Sequence, residues 1–445
     1  MKAFVLYSSS LSHYYRATCT TTIIEPGIHI QEIPTLNKFS FVSLTMTAAI
    51  IITICILLLI AYIFDLTSSR TRIPSVILLL FLGWIVRQLS KLFDIAIPDL
   101  TPLLPGLGTI GLILIVLEGS LELEFDNSKI PLIKKSFIVA LVPIIGLGFL
   151  LAWMFTHFGG YTFKDSLLNA IPFVVISSAI AIPSVKAQQQ EVKEFVIYES
   201  SFSDIIGILF FNFIAYNKTI SALSFAYFGI DLIIMAVISF VAILGLSLLL
   251  SKIDHHIKFA PIVLLLILIY EATKIYNLPA LLFILLFGLF LGNLDTLKKF
   301  RLIEKLKPDE LNVEVHKFKE LIIEGTFLVR AVFFLLFGYL MKTTEILNKE
   351  TILWALSIVA AIFIIRVIML KLFNIPLRPI MFIAPRGLIT ILLFLSIIPE
   401  KSIPLVNKSL IIQVIIFTAV FMMIGLVLPN KNKQINPGDI HHSTE

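Results

Sequence analysis

One stretch of the chain, EFVIYESSFSDIIGILFFNFIA, sets two carboxylates, Glu199 and Asp204, in an otherwise apolar run of helical length. A charge near the middle of a membrane helix costs on the order of 3 kcal/mol on insertion scales, so it persists where it binds, relays or pairs. Their spacing turns Glu199 about 140° away from Asp204 on a helix, so the two cannot share one proton as a dyad. Asp204 instead shares a face with Ser200 and Ser201, one turn back, whose hydroxyls can join its carboxylate around a cation. Glu199 faces a different neighbour and, if ionised in hydrocarbon, needs an arginine beside it. Two further runs carry charge: ELIIEGTFLVRAVFFLLFGYLM holds Glu324 and Arg330, and RPIMFIAPRGLITILLFLSIIP holds Arg386. Glu324 and Arg330 lie about 120° apart around their helix, which leaves the partner of Arg330 open. Arg366 is the third arginine inside an apolar run.

Positioning such groups takes backbone that can be polar at membrane depth. The run IPFVVISSAIAIPSV has Pro172 and Pro183 bracketing Ser177 and Ser178, and FIAPRGLIT places Pro385, Arg386 and Gly387 in succession. Proline removes a backbone donor and glycine loosens the helix, so amides and carbonyls are freed, which is tolerable only beside a polar cavity. Interrupted helices near the midplane are a feature of secondary transporters.

The apolar runs fall near 42–65, 73–88, 103–122, 136–158, 165–185, 194–216, 224–251, 258–275, 279–293, 319–341, 350–373, 378–398 and 408–428. That makes about 13 spans, with the two interrupted ones fifth and twelfth. An offset of seven gives them opposite orientations, as an inverted repeat of six spans plus one linking span requires, so that spans one to six recur as eight to thirteen.

Composition agrees with the count. Hydrophobic residues make up 58% of the 445 and charged residues 14%, against roughly 25% charged in an ordinary soluble domain. Runs of about 20 residues without strand alternation exclude a membrane β-barrel. Two cysteines, Cys19 and Cys55, form no disulfide framework or metal-site spacing. The net charge of +6 does not point to nucleic acid, because basic residues of a membrane protein collect in its cytoplasmic loops. With the C-terminus cytoplasmic, the inner loops and tail (429–445) hold twenty Lys and Arg against nine in the outer loops, and the positive-inside rule favours that orientation. The basic connection 294–319 reads as a solvated linker, or as a surface-lying or regulatory helix. Residues 1–41 are polar and read as a poorly ordered extension, with Met46 a possible start of the functional chain. No phosphate-binding loop for ATP is present. A membrane-embedded transferase would need a catalytic cluster in a larger loop, and a channel a selectivity-filter repeat; a carrier fits the residues better than either.

The pattern ESSFSD, Glu199 to Asp204, resembles the sixth-helix motif of the monovalent cation/proton antiporter superfamily, the bacterial sodium/proton exchangers and their Kef-type relatives. APRGLIT resembles the twelfth-helix motif of that family, and SSAIA, Ser177 to Ala181, a segment of the Kef-like branch. The resemblance covers roughly residues 46–428. It implies an all-α polytopic membrane protein of inverted six-helix repeats with crossed broken helices. Two domains follow within 42–428: a mobile core near 136–216 and 350–428, and a dimerisation panel near 42–88 and 258–293. It makes Asp204 the carrier of a proton or a monovalent cation, Na+ or K+, and Glu199 with Arg386 a structural ion pair. Ser177, Ser178 and Ser203 become lining groups at the crossing, beside Ser200 and Ser201. It implies a homodimer in the cell (inner) membrane without a cofactor. The chain departs from the family pattern at Ser203, where electroneutral sodium exchangers carry Asn, and at Ser177-Ser178-Ala179, where they carry Thr-Asp-Pro. A single titrating carboxylate implies electroneutral exchange of one cation per proton.

Overall fold

A computed structural model describes residues 34–71, 73–95, 97–123, 127–185, 188–217, 221–252, 259–276, 278–298 and 308–427. The chain divides into two compact units, Met1–Ile56 and Leu57–Glu445. The described part of the first unit is helical from Pro34 onward. That start precedes the expected span edge at 42, and the expected disorder of the earlier residues lies outside the described ones, as does the tail 429–445.

Every apolar run of the sequence finds helix in the structure: α1 Pro34–Thr71, α2 Ser75–Leu92, α3 Leu103–Glu122, α4 Ile130–Gly159 and α5, which is split into α5a Phe163–Val174 and α5b Ser178–Ser184. Then come α6 Gln190–Tyr216, α7 Ala222–Lys252, α8 Phe259–Ile275, α9 Ala280–Gly292, α10 Pro308–Leu340, α11 Lys349–Leu372, α12 Leu388–Leu395 and α13 Lys408–Val427. Among the described residues, ten segments are long and apolar enough to cross a membrane, by length and composition. No strand occurs among the described residues. The protein is an all-α, multi-pass membrane protein.

The other three segments are short. α8 has 17 residues and α9 has 13; at 1.5 Å per residue α9 reaches about 20 Å, less than the hydrocarbon thickness of roughly 30 Å. α9 compensates by lying inside the protein, where nearly all its residues are wholly or partly buried. α12 has only 8 helical residues because the chain before it runs extended over 383–387, after a 3-10 turn at Ile380–Phe382.

The basic connection is shorter than its composition suggests. α10 starts at Pro308, eleven residues before the expected edge, and its Asn312 donates to Asp295 Oδ1 at 2.7 Å. Asp295 also meets Lys298 at 2.7 Å, and these bonds, Lys298 foremost, hold its carboxyl below the usual range. Within the expected connection 294–319, Leu294–Leu297 and the residues from Pro308 onward are helical, and only residues 299–307 lie outside the described ones.

The inverted repeat is legible in the packing. In the α2–α10 crossing, a Cβ on Gly83 would fall on the Leu335 carbonyl oxygen, and a Cβ on Gly338 on that of Leu80. Under the seven-span offset this crossing maps onto α9 against α3, where a Cβ on Gly292 would lie 2.9 Å from the Leu121 carbonyl oxygen and one on Gly288 would collide with Ser120. Small residues let membrane helices approach to backbone contact, and both copies of the crossing use them. The breaks in the fifth and twelfth spans form the second mirrored pair.

Candidate ion-binding site

The split in α5 follows from its sequence. Val175 to Ser177 lie outside both helical halves, and the prolines lie inside them, Pro172 in α5a and Pro183 in α5b. The unwound stretches touch directly, with Ser177 N donating to Pro385 O at 2.9 Å. Helix ends leave carbonyls without partners, and buried ones must find donors. Here Arg386 supplies them: Nε donates to Phe173 O at 2.7 Å, Nη2 to Val174 O at 3.2 Å and Nη1 to Ala384 O at 2.6 Å.

Glu199 therefore pairs elsewhere, which corrects the expected ion pair with Arg386. Its partner is Arg366 of α11, in a two-pronged contact of Nη1 to Oε1 at 2.7 Å and Nη2 to Oε2 at 2.9 Å. Arg366 also donates through Nε to Ile380 O at 2.9 Å. The physical reason is competition for donors. Arg386 sits within the unwound stretch, next to carbonyls that no helix satisfies, whereas Arg366 projects from a regular helix with its fork free. Arg366 was recognisable in the sequence as a third intramembrane arginine; what the sequence lacks is the location of the freed carbonyls.

Asp204 lies beside the start of α5b and is 1% exposed. Its Oδ2 accepts from Ser178 N at 3.3 Å and from the Ser178 hydroxyl. Ser203, the residue before it, accepts from Ile176 N at 2.9 Å. Among the buried oxygens of the described residues that accept or donate no hydrogen bond are Asp204 Oδ1, Ser177 Oγ and Ser201 Oγ. Ser201 points at α3, where a Cβ on Gly119 would come 3.2 Å from its hydroxyl. Ser200, expected as a ligand alongside it, instead donates to Val196 O at 2.7 Å within its own helix.

Of the two residues without an assigned partner, Arg330 meets Asp65 of α1, Nη2 to Oδ1 at 3.7 Å, and Asp65 also accepts from Ser75 at 3.2 Å. Glu324 lies exposed on α10 and away from the crossing. Asp65 gave no sequence signal, since it stands at the end of the first apolar run.

A cavity of about 440 Å3 reaches toward the crossing from one end of the helices. Ile208, one turn beyond Asp204, lines it, with Asn212, Tyr270, Lys274, Ser396 and Lys401 among the polar lining. Lys401 donates to Ala215 O at 2.7 Å at its rim. At the opposite end of α6, Leu123, Ile197 and Tyr198 are buried together, with Ile182, Phe202 and Leu289 packed against them.

Crossed unwound helices, an inverted repeat and one buried carboxylate at the crossing define a secondary transporter. The chain belongs to the sodium/hydrogen exchanger family: the model "Sodium/hydrogen exchanger, transmembrane" matches residues 54–430. It is thus a transporter that exchanges cations for protons across a membrane. In fold it resembles a structure of the sodium/proton antiporter MjNhaP1 from Methanocaldococcus jannaschii at pH 8, with a TM-score of 0.57 and 17% identity, covering 85% of this chain and 95% of that one. An electron-microscopy map of the same antiporter matches with a TM-score of 0.60 and 18% identity, over 85% and 94% of the two chains. No curated protein sequence matches the chain.

Proposed function

We propose that Asp204 carries either a proton or a single monovalent cation, Na+ or K+, and that the exchange is electroneutral and proceeds by alternating access. The observation that carries this reading is the buried, unpartnered Oδ1 of Asp204, with unpartnered hydroxyls on Ser201 of the same helix and on Ser177 of the unwound stretch whose next residue, Ser178, bonds Asp204. A bare carboxylate there is penalised by desolvation, whereas a proton on Oδ1, or a cation held by Oδ1 and hydroxyl oxygens, neutralises it. Both loaded states then cross and the empty one does not, which couples the two fluxes. The Glu199–Arg366 pair is already neutral and takes no part in the charge balance.

In this reading the core, near 136–216 and 350–428, moves against the panel, near 42–88 and 258–293, in a homodimer. The protein sits in the cell membrane with its C-terminus in the cytoplasm. The cavity at Ile208 then opens outward, and the cluster at Leu123 and Tyr198 closes the cytoplasmic side.

The test is proton flux in proteoliposomes on adding Na+, K+ or Li+, with the membrane potential clamped. Asp204→Asn is expected to abolish exchange while the protein still inserts and melts cooperatively; cation-driven proton flux in that variant would remove the assignment. A rate that scales with the clamped potential would remove electroneutrality.

A further inference from the structure

The crossing is held by a hydroxyl in each half of the repeat. Ile176 N, in the unwound part of the fifth span, donates to Ser203 Oγ of α6 at 2.9 Å. Arg386 N, in the unwound part of the twelfth, donates to Thr418 Oγ1 of α13 at 3.1 Å. Under the seven-span offset the fifth span maps to the twelfth and α6 to α13, so the two bonds are counterparts. Thr418 is fully buried, and its own hydroxyl hydrogen is used within α13, where Oγ1 lies 2.9 Å from Val414 O and 3.1 Å from Ile415 O. Its accepting side is thus aimed at one amide.

The residue after each clasp separates the halves. After Ser203 comes Asp204; after Thr418 comes Ala419, which is buried and apolar. The repeat keeps the backbone clasp twice and the carboxylate once.

We propose that Thr418 is a positioning residue for the ion site, acting through the backbone of Arg386. A fixed Arg386 amide aims its guanidinium at Phe173 O and Val174 O. Those carbonyls end α5a, immediately before the stretch that delivers Ser177 and Ser178 to Asp204. The neighbouring Pro385 carbonyl accepts from Ser177 N, which adds a second connection between the same two stretches. Without the hydroxyl, the Arg386 amide loses its acceptor in a buried place, and the stretch carrying Ser177 relaxes away from the geometry that Asp204 needs.

The proposal rests on Asp204 being the carrier, so Asp204→Asn is measured in the same proteoliposome assay, and exchange persisting there would overturn that reading, not only this one. Thr418→Val keeps the shape and removes the acceptor. It is expected to raise the apparent KM for Na+ about tenfold, the scale of one lost buried hydrogen bond, and to displace the pH profile of exchange. Thr418→Ser is expected to restore both. Thr418→Cys, a poor acceptor of similar size, is expected to fall between serine and valine, and reads the same effect where valine disturbs insertion. A wild-type KM and pH profile in the valine or cysteine variant would overturn the proposal, as would equal impairment in serine and valine.

Discussion

The guanidinium of Arg366 meets the carboxylate of Glu199 edge to edge, at 2.7 and 2.9 Å, with both residues almost wholly buried. The contact ties α11 to α6, the helix that carries Asp204. Removing one partner of a buried pair strands the other charge, which costs about 3 to 5 kcal/mol, whereas removing both is far milder. Arg366→Met is therefore expected to lower the melting temperature in detergent strongly, and Glu199→Gln with Arg366→Met much less than the two single changes summed. Glu199→Gln with Arg386→Met is expected to be closer to additive, because Arg386 is bonded to backbone. Strong coupling in the second cycle and none in the first would reverse the assignment.

The serines around Asp204 are expected to separate by whether their oxygens are already used. Ser201 and Ser177 have unpartnered hydroxyls, whereas Ser200 donates to Val196 O. Ser201→Ala and Ser177→Ala should each raise the KM for the driving cation by about tenfold, if each oxygen contributes one contact of roughly 1.4 kcal/mol. Ser200→Ala should leave it within about twofold. Cation-jump measurements in proteoliposomes decide this, and an effect of Ser200 exceeding that of Ser201 would move the site to the other side of α6.

Much of this arrangement can be read in the chain, and the remainder is unreadable for physical reasons. The polar run ending in Asp204 and the two proline-bearing runs place the site at the junction of three segments, because charges and broken backbone persist in hydrocarbon only beside a partner or a polar cavity. The choice between Arg366 and Arg386 depends on which carbonyls unwinding leaves bare, and that is known only once the two stretches cross. Asp65 stands at the end of an apolar run, where carboxylates are common, and its partner Arg330 is far along the chain. The hydroxyl of Thr418 looks like any threonine in a membrane helix until its counterpart at Ser203 is seen. Gly83 and Gly338 are equally silent, since a glycine in an apolar run does not name the helix that approaches it.

That approach is specific enough to test. Gly338→Val puts branched carbon against the backbone of α2 at Leu80, where no flexible side chain can yield. Overpacking of this kind typically costs about 1 to 3 kcal/mol. The variant is expected to melt lower and to be recovered in smaller amounts from membranes, with a KM unchanged in whatever protein folds. Gly146→Val serves as the control, because nothing lies within 4 Å of its Cβ position. Equal melting temperatures for the two variants would show that the α2–α10 crossing is looser than its geometry implies.

Access to the crossing is expected to be one-sided in this conformation. Asn212 lines the cavity that reaches Ile208, whereas Leu123 is packed with Ile197 and Tyr198 at the other end of α6. Replacing the exposed Cys55 by serine removes the free cysteine among the described residues, and replacing Cys19 removes the other cysteine of the sequence. In that background Asn212→Cys should react with a membrane-impermeant maleimide added to the face opposite the C-terminus, and Leu123→Cys should be protected from either face. Saturating the outer face with protons while holding the inner face alkaline drives the carrier inward, so protection of Asn212→Cys should rise and that of Leu123→Cys should fall. Unchanged labelling of both positions under opposite gradients would mean that the cavity and the apolar cluster do not exchange roles, and the alternating-access reading would fall with it.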